Sequence, residues 1–252
     1  MKTLAVIPAR LGATRLPRKP LRLLGGAPLI VRVLERVRFL AVADRVVVAT
    51  DSEEIAKHVR DAGGEAVMTS PDHPSGTDRV AEVASKPGLD RYDAVLNVQG
   101  DEPFVSPEAV RGALRQVQSG FPLGTAAAHA EESILRNADA VKVVAADDGA
   151  AMYFSRAAIP YLRDVADADT LRTCVLHHVG VYAYAPDALQ RWVGLPPHPL
   201  ERIERLEQLR PLAAGMRMGV AVIDGPVHAG IDTEGDLERA NREWTNFFPS
   251  ES

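Results

Sequence analysis

Through the first two-thirds of the chain, short apolar runs alternate with amphipathic stretches of helical period. That alternation constrains the fold more than any other feature, because strands separated by helices must pair in parallel. The expected strands cover 3–7, 45–49, 65–68, 93–98 and 124–128. Between them, Ile30, Leu34 and Val37 share one helical face, as do Ile55 and Val59 in the next helix. Asp51 with Glu54 imitates a capping box, and Gly63-Gly64 can end that helix. Ser106-Pro107-Glu108 marks another start, with a cap, a first-turn proline and an acid that the helix dipole favours. The fold class is therefore α/β, with a mostly parallel sheet flanked by helices.

Beyond residue 140 the pattern changes. Val141–Ala145, Asp147-Asp148-Gly149 and Ala151–Phe154 read as a hairpin around an Asp-Gly turn, and Val179–Ala185 as a further strand. The segment 155–178 is expected to project as a subdomain or dimer arm. A helix over 200–209, a strand over 219–223 and a helix from about 234 complete the pattern. With 252 residues and no linker-like stretch, the expectation is one domain over 1–252 with the projecting part near 140–185.

Composition excludes several function classes. A net charge of −5 argues against bulk nucleic-acid binding. A single cysteine, Cys174, excludes an internal disulfide framework and multi-cysteine metal sites. No targeting signal and no membrane-length apolar stretch is seen, so a cytoplasmic protein without a membrane partner is expected. The histidines lack zinc-hydrolase spacing, and no G-x-S-x-G elbow occurs. His177 and His178 are adjacent on a strand and face opposite sides, so they do not make a metal pair.

The chemistry concentrates where strands end. After Leu4–Ile7 comes Pro8-Ala9-Arg10-Leu11-Gly12-Ala13-Thr14-Arg15-Leu16-Pro17-Arg18-Lys19-Pro20. It is neither a Walker A loop nor a G-x-G-x-x-G turn. Its backbone amides and its cations Arg10, Arg15 and Lys19 suit a triphosphate. Asn97-Val98-Gln99-Gly100-Asp101-Glu102-Pro103 follows the strand that open-sheet topology sets beside the first. Asp101 there is a candidate Mg²⁺ ligand; the alternative is that it caps the following turn. Asp232, in Gly230-Ile231-Asp232-Thr233, is a second carboxylate, with N-capping as its alternative. Ser75-Gly76-Thr77-Asp78-Arg79 opens a helix and can approach a base or phosphate, though capping by Thr77 accounts for it nearly as well.

Together these motifs resemble the 3-deoxy-manno-octulosonate (Kdo) cytidylyltransferases. So do Val48-Ala49-Thr50-Asp51, Ala140–Val144, Tyr153-Phe154-Ser155-Arg156, His178–Tyr182, Pro199-Leu200-Glu201 and Leu206–Arg210, all in that family's order. The resemblance implies a Rossmann-like nucleotidyltransferase that makes CMP-Kdo and diphosphate from CTP and Kdo for lipopolysaccharide synthesis. It implies that Arg10, Arg15 and Lys19 hold the triphosphate, and that Ala9, Ser75, Gly76, Thr77, Arg79 and Gln99 meet the nucleotide. Asp101 and Asp232 match the Mg²⁺ ligands. Gln99, Arg156, His178, Tyr182, Glu207 and Gln208 match the sugar side, with Arg156 the partner of the sugar carboxylate. A homodimer is implied as well.

The chain departs from its relatives at Ala13, Arg18 and Asp78, where serine, glycine and glutamate are more usual. The competing readings are a cytidylyltransferase for 8-amino-Kdo or a sialic acid, and a non-catalytic nucleotide-binding regulator.

Overall fold

The computed structural model describes residues 1–12, 15–225, 227–228 and 230–247, the side chains of Thr245 and Asn246 excepted. Ala13, one of the departures, and Thr14 lie outside the described residues. The chain forms two compact units, one of Lys2–Val105 with His228–Ser252 and one built around Ser106–Val227.

The first unit begins with β1 (Thr3–Ala9), buried along its whole length. A two-stranded turn follows, β2 (Leu23–Leu24) with β3 (Ala27–Pro28), then α1 (Leu29–Phe39). The next elements are β4 (Arg45–Thr50), α2 (Glu53–Asp61), β5 (Ala66–Met68), α3 (Gly76–Ala84) and β6 (Ala94–Val98). The strands pair in parallel in the order β6-β1-β4-β5. The expected strands are all present, and the strand before Gln99 lies beside β1, which brings both strand ends to one edge. Buried side chains of β1 and β4 lie against α1, where Ile30, Leu34 and Val37 are buried, and β4 also against α2, where Ile55 and Val59 are buried. Near-continuous apolar strands are what a sheet covered on both faces requires.

Two helix starts differ from expectation. The cap of α2 is Ser52, whose hydroxyl accepts from Ile55 N–H at 3.4 Å, and not Asp51. The Asp51 carboxylate is taken up by Arg79 instead, at 3.2 Å. In α3 the cap is Ser75, while Thr77 sits inside the first turn, 1% exposed.

The second unit contains α4 (Pro107–Gln118), capped by Ser106 as its sequence indicates, and β7 (Leu123–His129). The hairpin β8 (Lys142–Ala145) and β9 (Ala151–Ser155) turns at Gly149, whose φ of 82° suits glycine. There follow α5 (Ala168–Cys174), β10 (Leu176–Tyr184), α6 (Pro186–Val193), α7 (Pro199–Glu204), α8 (Leu209–Ala213) and β11 (Met218–Ile223). β11 pairs in parallel with β7; β7–β10, β10–β8 and β8–β9 are antiparallel. The single helix expected over 200–209 is two short ones, broken at Arg205 in the left-handed region (φ 56°). Glu201 and Arg210 tie the pieces together through two hydrogen bonds, at 2.8 and 2.5 Å.

The last helix, α9 (Glu234–Phe247), belongs to the first unit. Asn241 accepts from Gly25 N–H at 2.9 Å, and the Arg32 guanidinium lies 4.7 Å above the Trp244 ring.

Candidate active site

In the first unit, the C-terminal ends of β1 and β6 and the N-terminus of α3 surround a cavity of about 320 Å³. Beyond β1 the chain is anchored by Leu16 and Pro20, both buried, and Arg10, Arg15 and Lys19 line the cavity. Arg18 adopts φ 56° before the short turn at Lys19–Leu21, and its guanidinium pairs with Glu54. That pairing directs the unusual Arg18 cation to α2.

Ala9, Arg10, Arg15, Lys19, Ser75, Gly76, Arg79, Gln99, Asp101 and Asp232 all line this one cavity. Thr77 does not line it. Its centre is an ion cluster. Lys19 Nζ donates to Asp101 Oδ2 at 2.5 Å and to Asp232 Oδ1 at 2.9 Å, and Arg15 donates to Asp232 Oδ2 at 2.8 Å. Burial opposes the Lys19 charge, but the two carboxylates more than offset this and hold its pKa above the ordinary value. Glu102, beside them, is pushed well up by burial and by the charges of Asp101 and Asp232.

Asp232 is spared from helix capping by its neighbours. Thr233 and Asp236 form the reciprocal cap, with Asp236 N–H donating to Thr233 Oγ1 at 3.2 Å and Thr233 N–H to Asp236 Oδ2 at 2.9 Å. The capping alternative therefore falls to Thr233. Asp101 likewise faces Lys19.

The other wall is built for close approach. A Cβ on Gly100 would lie 2.7 Å from the Pro8 carbonyl oxygen, so only glycine fits where β6 ends against β1. The Ser75 hydroxyl donates to Asp78 Oδ2 at 2.6 Å and accepts from Asp78 N–H at 3.3 Å. Asp78 thus performs the supporting role of an N-terminal acid in place of glutamate. Arg79 is 2% exposed; its guanidinium donates to Thr69 Oγ1 and Asp51 Oδ2.

Sequence reasoning overlooked two groups here. His73 lines the cavity, with Nε2 donating to Glu82 at 2.5 Å. Burial opposes ionisation of Glu82, yet Lys86, His73 and Ser70 N–H bring its carboxyl down to about 2. The position of His73, two residues before Ser75-Gly76, was the available signal. Asp51 was visible as a helix-cap candidate and within the Val48-Ala49-Thr50-Asp51 motif, but not as the partner of Arg79.

The remaining candidates, Arg156, His178, Tyr182, Glu207 and Gln208, belong to the second unit. His178 and Tyr182 flank a β-bulge on β10, their ring centroids 5.5 Å apart. Burial, followed by the Glu207 and Tyr184 charges, drives the Tyr182 phenol well up. Arg156 donates through Nε to Glu204 O at 2.9 Å and through Nη1 to Ala138 O at 3.1 Å. Buried Lys142, another omission, donates to the carbonyls of Asn137, Ala140 and Arg156, at 2.9, 2.7 and 2.5 Å. It braces the backbone that carries Arg156. Gln208 is buried at the start of α8.

A model of the cytidylyltransferase family matches residues 4–218. The chain belongs to that family. A 3-deoxy-manno-octulosonate cytidylyltransferase of Gemmatimonas aurantiaca is 62% identical over 245 residues, 97% of this chain and 95% of that protein. The corresponding protein of Polynucleobacter asymbioticus is 47% identical over 95% of this chain and 94% of its own length. A solved CMP:2-keto-3-deoxy-manno-octonic acid synthetase complexed with CTP superposes with a TM-score of 0.89 at 38% identity, covering 98% of this chain and 99% of that one. A 4-diphosphocytidyl-2C-methyl-D-erythritol synthase from Anaerococcus prevotii (TM-score 0.63, 16% identity) shares the fold, covering 97% of this chain and 98% of its own. No helix among the described residues is long and apolar enough to cross a membrane.

Proposed function

We propose that this cytidylyltransferase joins the cytidylyl group of CTP to Kdo, giving CMP-Kdo and diphosphate for lipopolysaccharide assembly. The observation that carries the reading is the convergence of Asp101 and Asp232 on one ammonium, in a cavity also lined by Arg10, Arg15 and Arg79. Cations facing a carboxylate pair suit a polyanion that arrives with a divalent ion. The names of relatives similar over nearly the whole chain supply the sugar.

The anomeric hydroxyl of the sugar attacks the α-phosphorus in line, the new P–O bond forms, and the bond to diphosphate breaks. Such a transfer needs alignment and charge neutralisation more than a covalent nucleophile. Arg10, Arg15 and Lys19 hold the triphosphate and balance the charge that builds on diphosphate as it leaves. Ala9, Ser75, Gly76, Thr77, Arg79 and Gln99 form the nucleotide side. Gln99, Arg156, His178, Tyr182, Glu207 and Gln208 are assigned to sugar binding, with Arg156 the partner of the sugar carboxylate.

The Asp101 and Asp232 oxygens meet at one cationic point, and no group of three or more His, Cys, Asp or Glu placed to hold a metal ion forms among the described residues. That hard, two-carboxylate donor set fits Mg²⁺, which is commonly held by one or two carboxylates together with substrate phosphates. Held there by Asp101 and Asp232, Mg²⁺ would supply charge neutralisation at the phosphates and would lower the pKa of the sugar hydroxyl. The working protein is a cytoplasmic homodimer, and the whole of 1–252 acts as one nucleotidyltransferase domain with a dimerisation arm near 140–185. Competition among Kdo, 8-amino-Kdo and a sialic acid for [α-³²P]CTP tests the sugar: labelled CMP-Kdo dominates if the reading holds, and another CMP-sugar dominates if it fails.

A further inference from the structure

Thr125 lies buried on β7 opposite the bulge in β10. Its Oγ1 is 2.8 Å from Val181 O, 3.4 Å from Val179 O and 2.9 Å from His178 Nε2. A bulge leaves backbone groups outside the strand ladder, and a side chain has to satisfy them. The Thr125 hydroxyl does so for the Val181 carbonyl, and that fixes the proton accounting.

A hydroxyl has one proton and a carbonyl oxygen only accepts. With the Thr125 proton directed to Val181 O, the oxygen facing His178 is a lone pair. His178 Nε2 must therefore carry hydrogen; otherwise two acceptors would meet at 2.9 Å in a buried site. The ring is also neutral, since burial and then the neighbouring His177 lower its pKa to about 3. In a neutral imidazole with hydrogen on Nε2, Nδ1 is an acceptor.

Among the described residues Nδ1 of His178 has no hydrogen-bond partner. Among the described residues no side-chain nitrogen or oxygen sealed from solvent lacks one, so Nδ1 is not sealed from solvent. The rings of Phe154, edge-on at 4.9 Å, and Tyr182, at 5.5 Å, hold the imidazole plane.

We infer that Thr125 is a positioning residue that locks His178 in the Nε2–H tautomer, so that Nδ1 receives a hydroxyl of the sugar as a pure hydrogen-bond acceptor. The inference rests on the proposed placement of His178 at the sugar side. It makes His178 a reader of a hydroxyl donor rather than a cationic partner of the sugar carboxylate.

The test combines ¹⁵N-histidine NMR of the whole enzyme with steady-state kinetics. His178 is assigned by the signal lost in His178→Gln. Wild type is expected to show the Nε2–H tautomer at neutral pH. Thr125→Val is expected to mix the tautomers and raise KM for Kdo by about tenfold, with kcat and KM for CTP changed less than about threefold. Thr125→Ser, which keeps the hydroxyl, is expected to restore both the tautomer and KM. An Nδ1–H or charged His178 in wild type overturns the inference, even if Thr125→Val fails to fold. An unchanged KM for Kdo in a folded Thr125→Val enzyme with mixed tautomers overturns the positioning role. Wild-type enzyme with Nε2–H that makes no CMP-Kdo overturns the functional reading instead, because the tautomer is read without substrate.

Discussion

Lys19 Nζ sits between Asp101 and Asp232, 2.5 Å from one carboxylate and 2.9 Å from the other. One compact ammonium thus bridges both proposed metal ligands, and Arg15 supplies Asp232 with a second positive charge. Lys19→Met leaves two carboxylates facing each other without that charge. We expect it to strengthen Mn²⁺ binding to the nucleotide-free protein severalfold and to lower turnover by at least about 100-fold. Lys19→Arg should not restore turnover, since a planar fork does not replace a point charge. Mn²⁺ electron paramagnetic resonance and diphosphate release measure the two effects.

Arg79 is a buried cation held by Asp51 and Thr69 at the nucleotide cavity. Asp51→Asn weakens a charge-assisted contact of about 1.5–3 kcal/mol. Calorimetric titration with CTP is expected to show about a tenfold rise in Kd, with the unfolding transition still cooperative. An unchanged Kd would remove Asp51 from the account.

Gly100 and Gly12 both line the cavity, but only Gly100 lacks room for a side chain. A Cβ at Gly100 would lie 2.7 Å from Pro8 O, whereas nothing among the described residues lies within 4 Å of one at Gly12. Gly100→Ala should cost about 1–3 kcal/mol through forced separation of β1 and β6. Gly12→Ala should stay within about 0.5 kcal/mol of wild type. Urea unfolding of both variants makes the comparison.

Buried His178 makes stability depend on pH. Its folded pKa, lowered to about 3 by burial and then by His177, lies below the ordinary value of 6.5. The unfolded chain therefore binds more protons between those values, and stability falls as pH drops below about 6.5. At pH 5 the loss from this group alone is about 2 kcal/mol. His178→Gln should flatten this part of the profile in urea unfolding at pH 5–7.5; an identical slope in both proteins would assign it elsewhere.

The parallel core and most of the cavity were legible because they rest on local patterns. Apolar strands ending in Pro8-Ala9-Arg10 and Gln99-Gly100-Asp101 determine both the pairing of β6 with β1 and the side chains at their ends. Choices between equivalent neighbours were not legible. Asp51 and Ser52 can both cap α2, and only Arg79, brought close by tertiary packing, draws Asp51 away. Asp232 and Thr233 pose the same choice, decided by Asp236 on one side and Lys19 on the other. The break at Arg205 escaped a helical reading because an apolar period continues across it. The three carbonyls that hold Lys142 come from chain turns that carry no side-chain signal.

Diphosphate release from CTP tests the central claim most directly, with Kdo and Mg²⁺ present or absent, in wild type and in Asp101→Ala and Asp232→Ala. Release should require CTP, Kdo and Mg²⁺ together, should be far slower with ATP or GTP, and should fall at least about 100-fold in each variant. Release independent of Kdo, or an Asp101→Ala enzyme that keeps most of its turnover at saturating Mg²⁺ and substrates, would contradict the account.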